Sequence, residues 1–243
     1  MASIQDLGAT CLDRFVVSEA PPSVYYIPEF ITKQEEQFLI NQVYAVPKPK
    51  WTQLSHRRLQ NWGGIPHPKG MVLEKLPQWL DTYSHKIASL GALNEKIPNH
   101  VLVNEYTSGQ GIMPHEDGPL FYPVISTISL GGHTLLDFYH HPTTQCDENS
   151  VDEAAKVATP EDRLFGSLLL EPRSLLISKD EMYTKYLHGI ADRTHDTLTG
   201  KVLNVDACPQ RAIGDVLERK LRISLTIRHV PKVLKIKLNL GRR

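Results

Sequence analysis

Residues 101–117 read Val101, Leu102, Val103, Asn104, Glu105, Tyr106, Thr107, Ser108, Gly109, Gln110, Gly111, Ile112, Met113, Pro114, His115, Glu116, Asp117, and in them the chain changes character. Residues 101–106 form a short apolar and aromatic run that Thr107, Ser108 and Gly109 cut off, which is how a strand followed by a turn is written. The same grammar continues downstream in the runs 124–130, 133–139, 167–171, 174–178 and 221–230. Short strands separated by turn residues predict an antiparallel sandwich of the jelly-roll type.

Upstream the signals differ. Thr32 with Glu35 three residues later reads as a capping box, and Phe38, Leu39 and Val43 then give helical apolar spacing. Trp79, Leu80, Tyr83, Ile87 and Leu90 predict a second helix. Between them Pro47, Pro49, Gly63, Gly64, Pro66, Pro68 and Gly70 break the chain into loops with short strands. The fold class expected is α+β. Residues 140–163 and 191–220 are polar and read as long insertions, the first acidic and mobile.

With 243 residues and 41% hydrophobic content the chain can bury one good core, so a single domain over residues 1–243 is expected. Lys plus Arg and Asp plus Glu each number 27, and the formal net charge of zero excludes a polycation that coats nucleic acid by bulk charge. Charge is local instead. Lys48, Lys50, Arg57, Arg58 and Lys69 lie near Trp51 and Trp62; Lys232, Lys235, Lys237, Arg242 and Arg243 form a basic end; acid collects between Asp147 and Asp162. Cys11, Cys146 and Cys208 are widely spaced, and no secretory pattern opens the sequence, so a reducing compartment, cytoplasm and nucleus, is expected. Cys146 and Cys208 read as free surface thiols. No apolar run approaches the ~18 residues of a membrane span, and no membrane partner is expected. Oligomeric state is not readable.

The chemistry starts at His115 and Asp117. Two residues apart on a strand point to one face and can reach one ion together. Imidazole and carboxylate, joined by a distant second histidine, make the facial triad of non-haem Fe(II) oxygenases, which leaves three positions for a cosubstrate and O2. His188, in Tyr186, Leu187, His188, Gly189, Ile190, is the candidate for the second histidine. Among eleven histidines His133, His140, His141 and His195 compete with it, and composition does not choose between them. Arg222, Ser224, Thr226 and Arg228 share one face of the last predicted strand, with Leu221, Ile223, Leu225 and Ile227 on the other. Guanidinium groups on such a face suit a dicarboxylate, which they grip through paired charged hydrogen bonds.

Asn104, Tyr106, Gly109, Ile112, His115 and Asp117 resemble the N-x-Y-x-x-G-x-x-I-x-x-H-x-D run of AlkB-like dioxygenases. His188, Gly189 and Ile190 resemble the family's H-G-I element, and Arg222 to Arg228 its R-x-x-x-x-x-R element. The resemblance covers residues 101–230, and the sequences around Trp51 and Trp62 are similar to the sixth AlkB homologue subgroup of animals and plants. It implies a double-stranded β-helix with the amino-terminal helices packed on one sheet, and a helical extension and substrate lid over 1–100 beside a core over 101–230. It implies Fe(II) held by His115, Asp117 and His188, with 2-oxoglutarate and O2 as cosubstrates. Asn104 and Tyr106 would contact 2-oxoglutarate, Arg222 its distal carboxylate above Ser224 and Thr226, and Arg228 its metal-proximal end and Asp117. No catalytic residue beyond the metal ligands is implied.

The activity implied is oxidative demethylation of alkylated nucleic acid, single-stranded or RNA. Lys50, Trp51, Arg58 and Trp62 are the expected lid contacts, basic groups with stacking rings. Gly118, Pro119, Leu120, Phe121 and Tyr122 follow Asp117 where several repair enzymes carry acidic residues, so a pocket walled by Phe121 and Tyr122 is expected instead. Two other classes stay open at this point, a protein-directed 2-oxoglutarate oxygenase and a non-catalytic nucleic-acid reader.

Overall fold

The computed structural model describes residues 9–21, 23–142 and 159–234. Its elements in chain order begin with β1 (Val24–Ile27), α1 (Lys33–Tyr44), β2 (Thr52–Leu54), β3 (Arg57–Trp62), β4 (Met71–Val72) and α2 (Gln78–Ala88). They continue with β5 (His100–Tyr106), β6 (Ile112–His115), β7 (Val124–Gly131), β8 (Thr134–His140), β9 (Leu164–Leu170), β10 (Leu175–Lys179) and α3 (Asp180–Thr184). The last are β11 (Tyr186–Ile190), β12 (His195–Thr197), β13 (Val216–Glu218), β14 (Arg222–Arg228) and β15 (Val233–Leu234). A seven-stranded sheet in the order β1-β10-β7-β14-β5-β3-β2 and a four-stranded sheet in the order β6-β11-β8-β9 make the two layers of the expected jelly roll.

Strand alternation decides where the core sits. Ile223, Leu225 and Ile227 of β14 are fully buried on one side of the large sheet, with Val101, Val103, Ile128 and Leu130, and there they meet Leu39 and Val43 of α1 and Leu80, Tyr83 and Ile87 of α2. α1 starts on the expected capping box, with Thr32 Oγ1 accepting from Glu35 N at 3.1 Å and Glu35 Oε2 accepting from Thr32 N at 2.7 Å. Phe38 is not part of the buried stripe; it is 47% exposed, because Leu39 and Val43 already fill the contact with the sheet. The opposite face of the large sheet turns toward the small one. There Val24, Tyr26 and Leu176 join Phe138, Leu168 and Leu170 in a second core cluster.

Three expectations need correction. The 1–100 segment is not a helical extension set apart from a core, since β1 pairs with β10 and β3 pairs with β5, making this segment an integral part of the large sheet. Residues 191–220 are not a loose insertion. Leu198, Val202 and Cys208 are buried, Asn204 exchanges two hydrogen bonds with the backbone of Leu169 (2.8 and 2.9 Å), and buried Asp196 is held by Arg219 (2.7 and 2.8 Å) and Arg193 (2.8 Å). Cys208 is accordingly a buried thiol, not a surface one. The acidic stretch around Cys146 and the tail residues Lys235, Lys237, Arg242 and Arg243 lie outside the described residues. Among the described residues no helix is long and apolar enough to cross a membrane.

Candidate active site

β6 and β11 lie side by side, with His115 opposite His188 and their ring centroids 4.5 Å apart. Gly189 permits this approach: a Cβ there would stand 2.9 Å from the Ile112 carbonyl oxygen and 3.0 Å from Pro114 N. His115 Nδ1 lies 2.9 Å from the Met113 carbonyl. A carbonyl only accepts, so Nδ1 is the donor in this contact and Nε2 is the nitrogen left to face a metal. Burial pushes His188 down to about 4 against the pull of Asp117, with His115 and Arg228 lowering it further, so this ring is neutral at physiological pH. His188 lies within β11. Asp117, by contrast, lies past the end of β6, so a shared strand face does not bring it to His115. It is folded back by Gly118, at φ 82, by Tyr183, whose hydroxyl donates to the Gly118 carbonyl, and by Arg228, whose Nη1 is 2.8 Å from Asp117 Oδ1. Asp117 Oδ2 is 3.5 Å from His188 Nε2.

Among the described residues no three His, Cys, Asp or Glu side chains stand as a finished metal cage. The trio is gathered, with its carboxylate committed to Arg228 and His188. Two imidazoles and one carboxylate are nonetheless the donor set that suits Fe(II). The competing histidines are engaged elsewhere. His133 is 3.4 Å from Asp196 and His141 is 3.2 Å from Glu116. His140 packs edge-on against Phe165 and tilted against Tyr186, and His195 contacts Thr194.

A cavity of about 310 Å³ opens beside these residues, and the inner face of the large sheet forms its polar wall. The rows are set by register. Arg222 is opposite Tyr106, and Ser224 lies between Asn104 on β5 and Ser129 on β7. Arg222 is 3% exposed; its Nη2 donates to Ser129 Oγ at 2.9 Å, its Nε has no partner, and no carboxylate pairs with it among the described residues. Burial pulls it down to about 10. A buried cation without a counter-charge costs several kcal/mol, on the order set by ion desolvation, and a carboxylate would relieve that cost. The wall therefore fits 2-oxoglutarate at this end. Burial also raises Tyr106, with Arg222 opposing, so its hydroxyl stays a neutral donor.

The expected substrate contacts fare differently. Arg58, Gln60 and Trp62 of β3 point to the helix side of the sheet. Arg58 makes two hydrogen bonds to Glu105 (2.6 and 2.9 Å) and lies 4.2 Å above Trp51; Lys50 lies 4.1 Å above Trp62, whose ring meets Trp79 edge-on at 5.7 Å. Lys50, Trp51, Arg58 and Trp62 thus hold one another and none lines the cavity. Phe121 sits under Arg228 at 4.4 Å, and Tyr122 contacts Asn94 and His229, so neither walls the cavity as expected. The residues that do line it include Arg57, Glu116, Met182 and Tyr183. Arg57 could have been found by alternation from Arg58 once β3 was recognised as a strand. Met182 and Tyr183 stand on α3, too short to leave a periodic signal.

Comparison with known proteins gives the family and the fold. The family described as the 2OG-Fe(II) oxygenase superfamily matches residues 51–228. A Danio rerio protein named "Probable RNA/DNA demethylase ALKBH6" is 54% identical over 232 residues, covering 96% of both chains. The Macaca fascicularis protein named "tRNA (carboxymethyluridine(34)-5-O)-methyltransferase ALKBH8" is 28% identical over 86% of this chain and 31% of its own. Among solved structures that of OsALKBH1 superposes with a TM-score of 0.51 at 17% identity, over 86% of this chain and 99% of the other, which shows the fold.

Proposed function

The chain belongs to the 2OG-Fe(II) oxygenase superfamily, dioxygenases that use Fe(II), 2-oxoglutarate and O2, and from that premise we propose that it oxidises a methyl or related alkyl group on RNA or DNA. When bound, the metal couples oxidative decarboxylation of 2-oxoglutarate to hydroxylation of a substrate carbon by O2, giving succinate and CO2. An N-methyl group so hydroxylated is released as formaldehyde. His115, Asp117 and His188 are the proposed ligands, and Arg228 holds Asp117 in place across the two sheets. Arg222 takes the distal carboxylate of 2-oxoglutarate, supported by Ser129, while Ser224, Thr226, Asn104 and Tyr106 line its bed. The observation that carries this reading is the buried Arg222, with no carboxylate partner among the described residues, in the same cavity as the paired His115 and His188.

Nucleic acid as substrate is supported by the name of the Danio rerio relative and by the shape of the site. A cavity between two sheets takes a single nucleotide and excludes a duplex, so the target base enters unpaired or flipped out of its stack. Anaerobic titration with Fe(II) and 2-oxoglutarate tests the chemistry. The parent is expected to develop the weak visible charge-transfer band of a chelated 2-oxo acid, and His115→Ala and Arg222→Ala to lose it; no band in the parent overturns the site. Succinate formation stimulated by methylated single-stranded oligonucleotides tests the substrate. Stimulation by a polypeptide and by no oligonucleotide would move the reading to a protein-directed oxygenase.

A further inference from the structure

We propose that Arg57, on the edge strand β3, is a positioning residue for the cosubstrate, acting through Asn104; this rests on the proposed 2-oxoglutarate site. Arg57 lines the cavity, and its Nε donates to Asn104 Oδ1 at 3.2 Å. A guanidinium has donors and no acceptor, so only the oxygen of the Asn104 amide can face it. That contact sets the amide's orientation. It leaves Nδ2, two donors with no protein partner among the described residues, in the cavity wall beside Ser224, where an acceptor-rich dicarboxylate is expected.

The position of Arg57 is itself fixed from the other side of the sheet. Its neighbour Arg58 is tied to Glu105 by two hydrogen bonds, and Glu105 also accepts from Tyr44 Oη at 2.5 Å. This lock sets the register of β3 against β5, with Arg58 opposite Glu105 and Leu59 opposite Asn104. Residue 57 is thereby held facing inward, within reach of Asn104. Without it the amide is free to turn its oxygen toward an incoming carboxylate, and two acceptors would then confront each other.

The test is the affinity for 2-oxoglutarate, read from the charge-transfer band of the anaerobic Fe(II) protein. Arg57→Met is expected to weaken it about 5- to 10-fold, the scale of one oriented hydrogen bond, with Fe(II) affinity and melting temperature unchanged. Arg57→Lys, which keeps a donor, is expected to restore part of the loss. In an Asn104→Leu background Arg57→Met should add less than about twofold, since the residue it acts through is gone. An unchanged 2-oxoglutarate affinity in Arg57→Met overturns the proposal, and so does an equal loss in the Asn104→Leu background, which would mean that Arg57 acts directly or through the fold. A parent protein with no band at all overturns the cosubstrate site itself, a result distinct from either of these.

Discussion

Arg222 and Arg228 stand on the same face of β14 and are both buried, yet their electrostatic situations are opposite. Arg228 meets Asp117 at 2.8 Å, whereas among the described residues Arg222 meets a serine hydroxyl and a tyrosine ring and no carboxylate. Arg228→Met should therefore cost the metal-free protein about 3 kcal/mol or more in urea unfolding, because it leaves a buried carboxylate without its counter-charge, facing only the neutral His188 ring. Arg222→Met should leave stability unchanged or raise it, while abolishing 2-oxoglutarate binding. Equal destabilisation by the two would refute the contrast. His100, opposite Arg228 on β5, carries a second residue-scale prediction. Neither of its ring nitrogens has a partner among the described residues, and burial, then Arg228, push it down to about 3 against the pull of Asp117. From its unfolded value of about 6.5 down to about 3, the unfolded chain takes up a proton that the native state refuses. Stability should fall with falling pH by up to about 1.4 kcal/mol per unit in that window, with no effect above it. Unfolding curves of the parent and His100→Gln at several pH values should diverge below about pH 6.5; parallel curves would show that His100 protonates freely. Both arginines were legible in the sequence, since alternation along one strand places them together. Trp51 and Trp62 were not: a shift of one residue decides the face of a strand, and no local signal showed that Arg58 and Trp62 turn toward α1 and α2.

At the scale of elements, strong periodicity translated directly and weak periodicity did not. The capping box at Thr32 fixed the start of α1, and Leu39, Val43, Leu80 and Ile87 gave both helices their buried faces. β6 and β11 were the elements hardest to read, each being only a few residues with mixed polarity, and yet they carry His115 and His188. Their pairing rests on Gly189, whose glycine identity is demanded by space and not by backbone angle. Gly189→Ala would force a Cβ against the Ile112 carbonyl and spread β11 from β6. The expected outcome is a Fe(II) affinity reduced at least tenfold, measured by competition with a chelator, with a much smaller change in far-ultraviolet circular dichroism. Retained affinity would mean that the two strands can separate without moving the histidines. Residues 191–220 show the converse difficulty. Their order comes from Asp196 and Asn204, polar groups whose partners lie far along the chain, and polar composition alone reads as loop.

At the scale of the molecule, the inner faces of the two main sheets supply different halves of one site. His115 and His188 come from the four-stranded sheet, Arg222 and Arg228 from the seven-stranded one, and Asp117 spans the gap by pairing with Arg228. A metal held by the histidines and a dicarboxylate held by Arg222 would add further ties between the layers, and any ligand that binds only the folded state stabilises it. At a hundredfold excess over Kd that linkage is worth about 2.7 kcal/mol, or roughly 5–10 °C in melting temperature for a chain of this size. Anaerobic melting should therefore rise in two steps for the parent, one on Fe(II) and a second on 2-oxoglutarate. Arg222→Met should keep the first step and lose the second; His188→Ala should lose both, because chelation of the 2-oxo acid needs the metal. If 2-oxoglutarate alone raised the melting temperature as far as both together, the cosubstrate would be held by the large sheet without the small one, and the site would not be the joint between them.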